Sequence, residues 1–294
     1  VFAADLDGDG DLDVLAVNTE GTAVWIENLG TRFAGQRQIS DQLGGSYWIT
    51  AADLDGDGDQ DVVAAAGNSN TVAWFANRLN EASHDFGPLQ AITSEADGVV
   101  NLEVVDLDGD GKRDVVYLSG NDSTIGWSRN LGSGAFGPRQ VISSTVAGAF
   151  WMATADLDGD GDPDVLAAAF DDAQVVWFAN NGTGQFGPSQ VVAIDLPRVS
   201  TVSVADINRD GRMDVIAVGL NGLVTWSENL GGTFRPRQVI ANRPGTLPVG
   251  LTAADMDGDG DVDLLVSEYR GDQVSWYENR LGERVNELTL PAAS

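Results

Sequence analysis

The strongest constraint on this chain is a nine-residue acidic string that returns six times. It reads DLDGDGDLD at 5–13, DLDGDGDQD at 53–61, DLDGDGKRD at 106–114, DLDGDGDPD at 156–164, DINRDGRMD at 206–214 and DMDGDGDVD at 255–263. Successive strings start 48, 53, 50, 50 and 49 residues apart. A second signal keeps step: Trp25, Trp74, Trp127, Trp177, Trp226 and Trp276 follow the last Asp of each string by 12 or 13 residues. Three residues after each Trp stands an Asn, at Asn28, Asn77, Asn130, Asn180, Asn229 and Asn279. Four copies run on to a Phe-Gly-Pro or Phe-Arg-Pro turn at Phe86, Phe136, Phe186 and Phe234. A fixed period near 50 residues marks a row of copies of one structural unit. The copies divide the chain at about 1–44, 45–97, 98–147, 148–197, 198–246 and 247–294.

Within a copy, the acidic string leads into a short run of β-formers such as DVLAVN or DVIAVGLN. A turn rich in Gly, Asn and Asp follows, then runs such as TAVWIEN and PRQVIS, while YWITAAD or LEVVD precedes the string. None of these runs has helical length or period, and strands of four to seven residues fit throughout. Four short antiparallel strands per unit of this length describe a β-propeller blade. The fold expected is all-β: one six-bladed β-propeller over 1–294, with the acidic loop between the first and second strands of each blade. The first blade keeps only Val1–Asp5 of its first strand, and ERVNELTL near the C-terminus reads as the last outer strand.

The six strings hold 27 of the 45 acids and four of the 16 bases, leaving 18 acids and 12 bases elsewhere, a net of only −6. Most of the net charge of −29 therefore belongs to the loops. Such a charge repels nucleic acid and anionic membrane surfaces alike. No apolar run approaches the roughly 18 residues of a membrane span, so no membrane insertion is expected. Absent Cys and a single His84 disfavour disulfides, thiolate sites, zinc and haem. A start at Val1 without an initiator Met reads as a processed or trimmed product.

Oxygen-bearing side chains occupy positions 1, 3, 5 and 9 of every loop. They are Asp5, Asp7, Asp9 and Asp13; Asp53, Asp55, Asp57 and Asp61; Asp106, Asp108, Asp110 and Asp114. The later copies supply Asp156, Asp158, Asp160 and Asp164; Asp206, Asn208, Asp210 and Asp214; Asp255, Asp257, Asp259 and Asp263. Alternate positions of a curled loop converge, and hard oxygens at this density suit Ca²⁺. Position 7 varies among Asp11, Asp59, Lys112, Asp162, Arg212 and Asp261, as expected if it lends its backbone carbonyl. Position 6 is always Gly, where a sharp turn needs φ > 0. Acidic turns are common in any case, but 23 of these 24 positions are Asp. Massing carboxylates without a cation is costly. An EF-hand needs Glu at position 12, where this chain has Ala16, Ala64, Tyr117, Ala167, Ala217 and Val266. About six Ca²⁺ are expected, with the fifth site weakest because of Asn208.

The D-x-D-G-D-G-x-x-D loop, the DVL-type strand after it and the W-x-x-N segment resemble VCBS/FG-GAP repeats, the blades of integrin-α-like propellers and propeller lectins. That resemblance spans essentially the whole chain. It implies calcium-stabilised blades in a secreted or cell-surface protein serving adhesion or glycan binding. The same blades also occur in polysaccharide lyases, so function is not settled by fold.

The repeated Trp residues read as packing between blades. Tyr47-Trp48 and Phe150-Trp151 differ, because the equivalent places elsewhere hold Val100-Asn101, Ser200-Thr201 and Val249-Gly250. Such aromatic pairs can stack on sugar rings or plug a central channel, and Tyr47, Trp48, Phe150 and Trp151 are the candidate ligand contacts. His84 lies in the enlarged loop at 79–86 and reads as a solvated residue. No acid/base pair for a lyase assembles from the sequence. The expectation is a non-enzymatic, calcium-loaded, extracellular module binding a glycan or protein on the face away from the loops. A polysaccharide lyase or hydrolase, or a purely structural adhesin module, are the alternatives.

Overall fold

The computed structural model describes residues 1–281. Contacts divide the chain into two compact units, Val1–Thr145 and Val146–Ser294. The first unit holds three four-stranded antiparallel sheets. Their strands are Phe2–Ala4, Asp13–Val17, Ala23–Ile26 and Arg37–Ser40; Ser46–Ala52, Asp61–Ala66, Thr71–Phe75 and Gln90–Thr93; Val99–Val105, Asp114–Ser119, Thr124–Ser128 and Gln140–Ser143. The second unit has sheets of Met152–Ala155, Asp164–Ala169, Gln174–Phe178 and Gln190–Ala193, and of Val199–Ala205, Asp214–Gly219, Leu223–Ser227 and Gln238–Asn242. A last sheet of Pro248–Ala254, Asp263–Glu268 and Gln273–Tyr277 completes it. The outer strand expected over ERVNELTL lies outside the described residues. Among the described residues the only helical element is the turn Gly67–Ser69, and no helix is long and apolar enough to cross a membrane.

In each repeat the end of the first strand pairs with the final Asp of the acidic string: Ala4 with Asp13, Ala52 with Asp61, Val105 with Asp114, Ala155 with Asp164, Ala205 with Asp214 and Ala254 with Asp263. The string is thus the hairpin connection between first and second strands, as its sequence position implies. Second strands such as Asp61–Ala66 and Asp164–Ala169 are buried at all six residues. Covered on both faces, they read as continuous small and β-branched runs instead of alternating ones.

The hydrophobic cores lie between consecutive sheets. In the first unit one core joins Leu15 and Trp25 to Ile49 and Phe75, and another joins Trp74 to Leu102 and Tyr117. In the second, Leu166 and Trp177 meet Val202 and Ala217, and Trp226 meets Leu264 and Tyr277. Trp25 and Trp177 face the next repeat's turn: Trp25 meets Phe86 edge-on at 6.2 Å, and Trp177 meets Phe234 at 6.2 Å. Five of the six Trp are at most 6% exposed, whereas Trp276 is 43% exposed. Met256, at loop position 2 of the same sheet, is 49% exposed while Leu6, Leu54, Leu157 and Ile207 are buried. Both belong to the last repeat, which has no following Phe turn among the described residues to cover them.

Candidate metal centre

The acidic loops are built first by their own backbone. In the first loop the Gly8 N–H donates to Asp5 Oδ1 at 2.8 Å and the Gly10 N–H to Asp5 Oδ2 at 3.0 Å. The same pair recurs on Asp53, Asp156 and Asp255. Curling the chain around one carboxylate puts both glycines at positive φ, Gly8 at 76° and Gly10 at 93°. Sequence reasoning located this need at position 6 only. Position 4 shares it, and there the fifth loop holds Arg209 at φ 60°, a conformation unfavourable for a side chain with Cβ.

The position-9 acids are wholly buried. Their two oxygens accept different backbone N–H groups. In the fourth loop, Leu157 donates to Asp164 Oδ2 at 2.9 Å and Asn180 to Oδ1 at 2.8 Å. The same two bonds recur on Asp13, Asp61, Asp114, Asp214 and Asp263. This explains the invariant step from Trp to Asn, whose role the sequence left unassigned. The Asn side chain also ties repeats together. Asn77 Nδ2 donates to the Gln60 carbonyl of its own loop at 3.0 Å and to the Leu6 carbonyl of the preceding loop at 2.6 Å. Asn130 reaches Leu54, Asn229 reaches Leu157 and Asn279 reaches Ile207 in the same way. Asn229→Ala is expected to cost about 1–3 kcal/mol, since it orphans buried carbonyls on two repeats. The measurement is a urea midpoint at unchanged slope, and a loss below a few tenths would dismiss the staple.

Three carboxylates each place an oxygen within 4.8 Å of the others in five loops. The groups are Asp5, Asp7 and Asp9; Asp53, Asp55 and Asp57; Asp106, Asp108 and Asp114; Asp156, Asp158 and Asp164; Asp255, Asp257 and Asp259. Among the described residues the fifth loop forms no such group, in keeping with Asn208. Position-7 side chains join none. Burial pushes Asp61 and Asp114 up to about 6 and Asp164 to about 7, and it also raises Asp7, Asp55, Asp158 and Asp214. Asp261 rises to about 6 through burial and the adjacent Asp259. Asp110 goes the other way, to about 2, because Lys112 and Arg129 hydrogen-bond to it.

The donor set fits a hard divalent cation. All contributors are oxygens, as Ca²⁺ prefers. Asp108 Oδ1 is buried with no hydrogen-bond partner, on a side chain only 5% exposed, and Asp261 Oδ1 is likewise buried without one. A buried carboxylate oxygen without a donor is the atom a cation satisfies.

At the opposite ends of the strands lie the aromatic candidates. A bulge between Ser46 and Trp48 turns Tyr47 outward, 65% exposed, and the same bulge recurs at Val100, Ser200 and Val249. An extra residue in one strand re-aims its side chain in this way. Trp48 instead packs half-buried against the core of Leu102 and Tyr117, and Trp151 against that of Leu166 and Trp177. Phe150 is 53% exposed and meets Phe170 edge-on at 6.0 Å. The Arg198 guanidinium stands 5.6 Å over Phe170. Neither Phe170 nor Arg198 was legible as a site residue, since they come from different repeats. His84, at φ 48°, has Nδ1 2.9 Å from the Leu79 carbonyl and closes its loop.

The FG-GAP-like repeat family matches residues 5–64, 53–117, 106–167, 156–217 and 206–266. Among curated proteins none matches. Among solved structures, BBS1N in complex with ARL6DN, from a lead-soaked crystal, is similar at TM-score 0.64 and 12% identity, over 95% of this chain and 79% of that one. Its mercury-soaked counterpart gives 0.61 at 13%, over 94% and 75%. The Tc holotoxin pore of Photorhabdus luminescens gives 0.51 at 19%, with 93% of this chain covering 13% of that one. At such identities these likenesses bear on fold alone. Overlapping matches from 5 to 266 and stacked antiparallel sheets support a propeller of such repeats, and the chain belongs to the FG-GAP-like repeat family.

Proposed function

We propose that this chain is a six-bladed, calcium-loaded propeller acting as a binding module outside the cell, without enzymatic activity. The observation that carries the metal reading is the buried, unpartnered Asp108 Oδ1 beside Asp106 and Asp114. Bound calcium supplies a hard positive charge to loops that otherwise mass carboxylates. Positions 1, 3 and 5 would hold it in the first, second and sixth loops, and positions 1, 3 and 9 in the third and fourth. Sites of this kind in extracellular modules bind at about 10⁻⁴–10⁻³ M, matching calcium levels outside cells. The loop carboxylates already accept backbone N–H groups, so they are ill placed to move protons for catalysis.

Recognition belongs to the turns at the other strand ends, where Tyr47 in one unit and Phe150 in the other offer exposed rings, the latter beside Phe170 and Arg198. Variable turns on a rigid scaffold are where binding usually resides. BBS1N in its complex with ARL6DN is a precedent for a similar fold docking a protein, and exposed rings also suit a glycan. The test is a panel of extracellular glycans and matrix proteins probed with calcium-loaded protein. Tyr47→Ser with Phe150→Ser is expected to weaken the captured ligand at least tenfold while leaving the calcium-dependent melting shift intact. Release of unsaturated uronate or reducing sugar from any glycan would overturn the non-enzymatic reading.

A further inference from the structure

The six loops are not equally short of positive charge. Arg129 Nε lies 2.5 Å from Asp108 Oδ2, and its Nη2 lies 3.1 Å from Asp110 Oδ2. Lys112 Nζ lies 2.8 Å from the same Asp110 oxygen. The place of Arg129, one residue before the repeated Asn, holds Glu27, Ala76, Ala179, Glu228 and Glu278 in the other copies. Among the described residues no Lys or Arg pairs with an acid of the first, second or fourth loop; the sixth receives only Arg209, at 3.5 Å from Asp261 and 3.9 Å from Asp259. In the fifth loop Arg212 Nη2 sits 2.5 Å from Asp210 Oδ2.

We infer that Arg129 is a resident counter-ion of the third loop, whose fixed charge opposes calcium entering among Asp106, Asp108 and Asp114. This rests on the calcium reading above. A guanidinium is always charged, and its planar fork can bond two carboxylates at once. It holds Asp108 Oδ2, beside the oxygen open to the ion, and Asp110 next to it, so a cation entering the loop meets a positive charge already in place. Arg129 does not replace the metal altogether, because it leaves Asp108 Oδ1 buried and unpartnered. The third loop is therefore partly neutralised when calcium is scarce and fills after the first, second and fourth. Competition of this sort is reciprocal: what the arginine adds to the metal-free loop it removes from calcium affinity.

The test is calcium titration of the full chain by calorimetry, with melting in chelator alongside. Arg129→Ala places there the residue that the second and fourth repeats already carry. It is expected to move one ion from the weak to the tight class, with affinity raised on the order of tenfold, and to lower the melting temperature in chelator. Arg129→Lys keeps the charge without the fork, and it should fall between wild type and Arg129→Ala on both readouts. It also keeps the question open to measurement if the Ala variant folds poorly. Superimposable calcium isotherms for wild type and both variants would overturn the counter-ion while leaving calcium binding in place. A wild-type chain that takes up no calcium at millimolar concentration would overturn both readings together.

Discussion

Chelation at neutral pH should lower the melting temperature by about 10 °C or more, taking about 1.4 kcal/mol per site at tenfold over the dissociation constant and about 2–4 °C per kcal/mol for a chain of this size. The first, second and fourth loops contribute most of that shift, since among the described residues no side-chain cation pairs with their carboxylates. The effect should depend on pH in a definite direction. In the metal-free protein Asp61, Asp114 and Asp164 ionise only at about 6, 6 and 7, and half-buried Glu103 at about 7, all raised chiefly by burial. Unfolded, these acids ionise near 4, so between the two values the folded chain binds more protons. Their contribution is fully present below the unfolded pKa and is lost as pH rises through 6 to 7. Metal-free protein should therefore lose stability between pH 5 and 7.5, and the gain from calcium should be large at pH 7.5 and small at pH 5. Differential scanning calorimetry with and without chelator at both values measures this. Equal melting temperatures with and without chelator at pH 7.5 would remove calcium from the account.

Asp164→Ala should destabilise the protein by about 2–6 kcal/mol, since two buried N–H donors lose their acceptors together. They are those of Leu157 and Asn180, at 2.9 and 2.8 Å. Much of this loss should persist in chelator, where a residue that served only as a metal ligand would show none. Asp162→Ala, at the variable position 7 of the same loop, is the control. Its side chain accepts none of the fold-holding bonds, and a change within about 0.5 kcal/mol is expected. Denaturant midpoints for both variants, with and without calcium, separate the two roles of the loop. Asp164→Ala indistinguishable from wild type in chelator would mean that the buried carboxylate has no structural role.

The contrast between these residues marks what local sequence can carry. The period of about 50 residues, the runs of β-formers and the Asp-Gly strings are each written within a dozen residues, and they determined the all-β repeat, the hairpin position of the loops and the clustering of their acids. Trp25 and Trp177 could be read as packing residues for the same reason, because their spacing from the loop is constant. Contacts between repeats are another matter. That Asn77 bonds the carbonyl of Leu6, 71 residues earlier, depends on how one sheet stacks on the next. No spacing within a single copy encodes it. The stacking likewise leaves Trp276 exposed despite its matching motif. Phe170, which meets Phe150 within its own repeat, lies under Arg198 only because turns from successive repeats share one end of the sheets. Arg129, unremarkable in sequence, becomes a counter-ion because the hairpin after the third strand folds back over the acidic loop. Composition and periodicity decided which unit is repeated and placed Lys112 and Arg212 inside their loops, whereas tertiary structure alone decided how the units are tied together and that Arg129 and Arg209 reach acidic loops, because these depend on distances between segments that are remote along the chain.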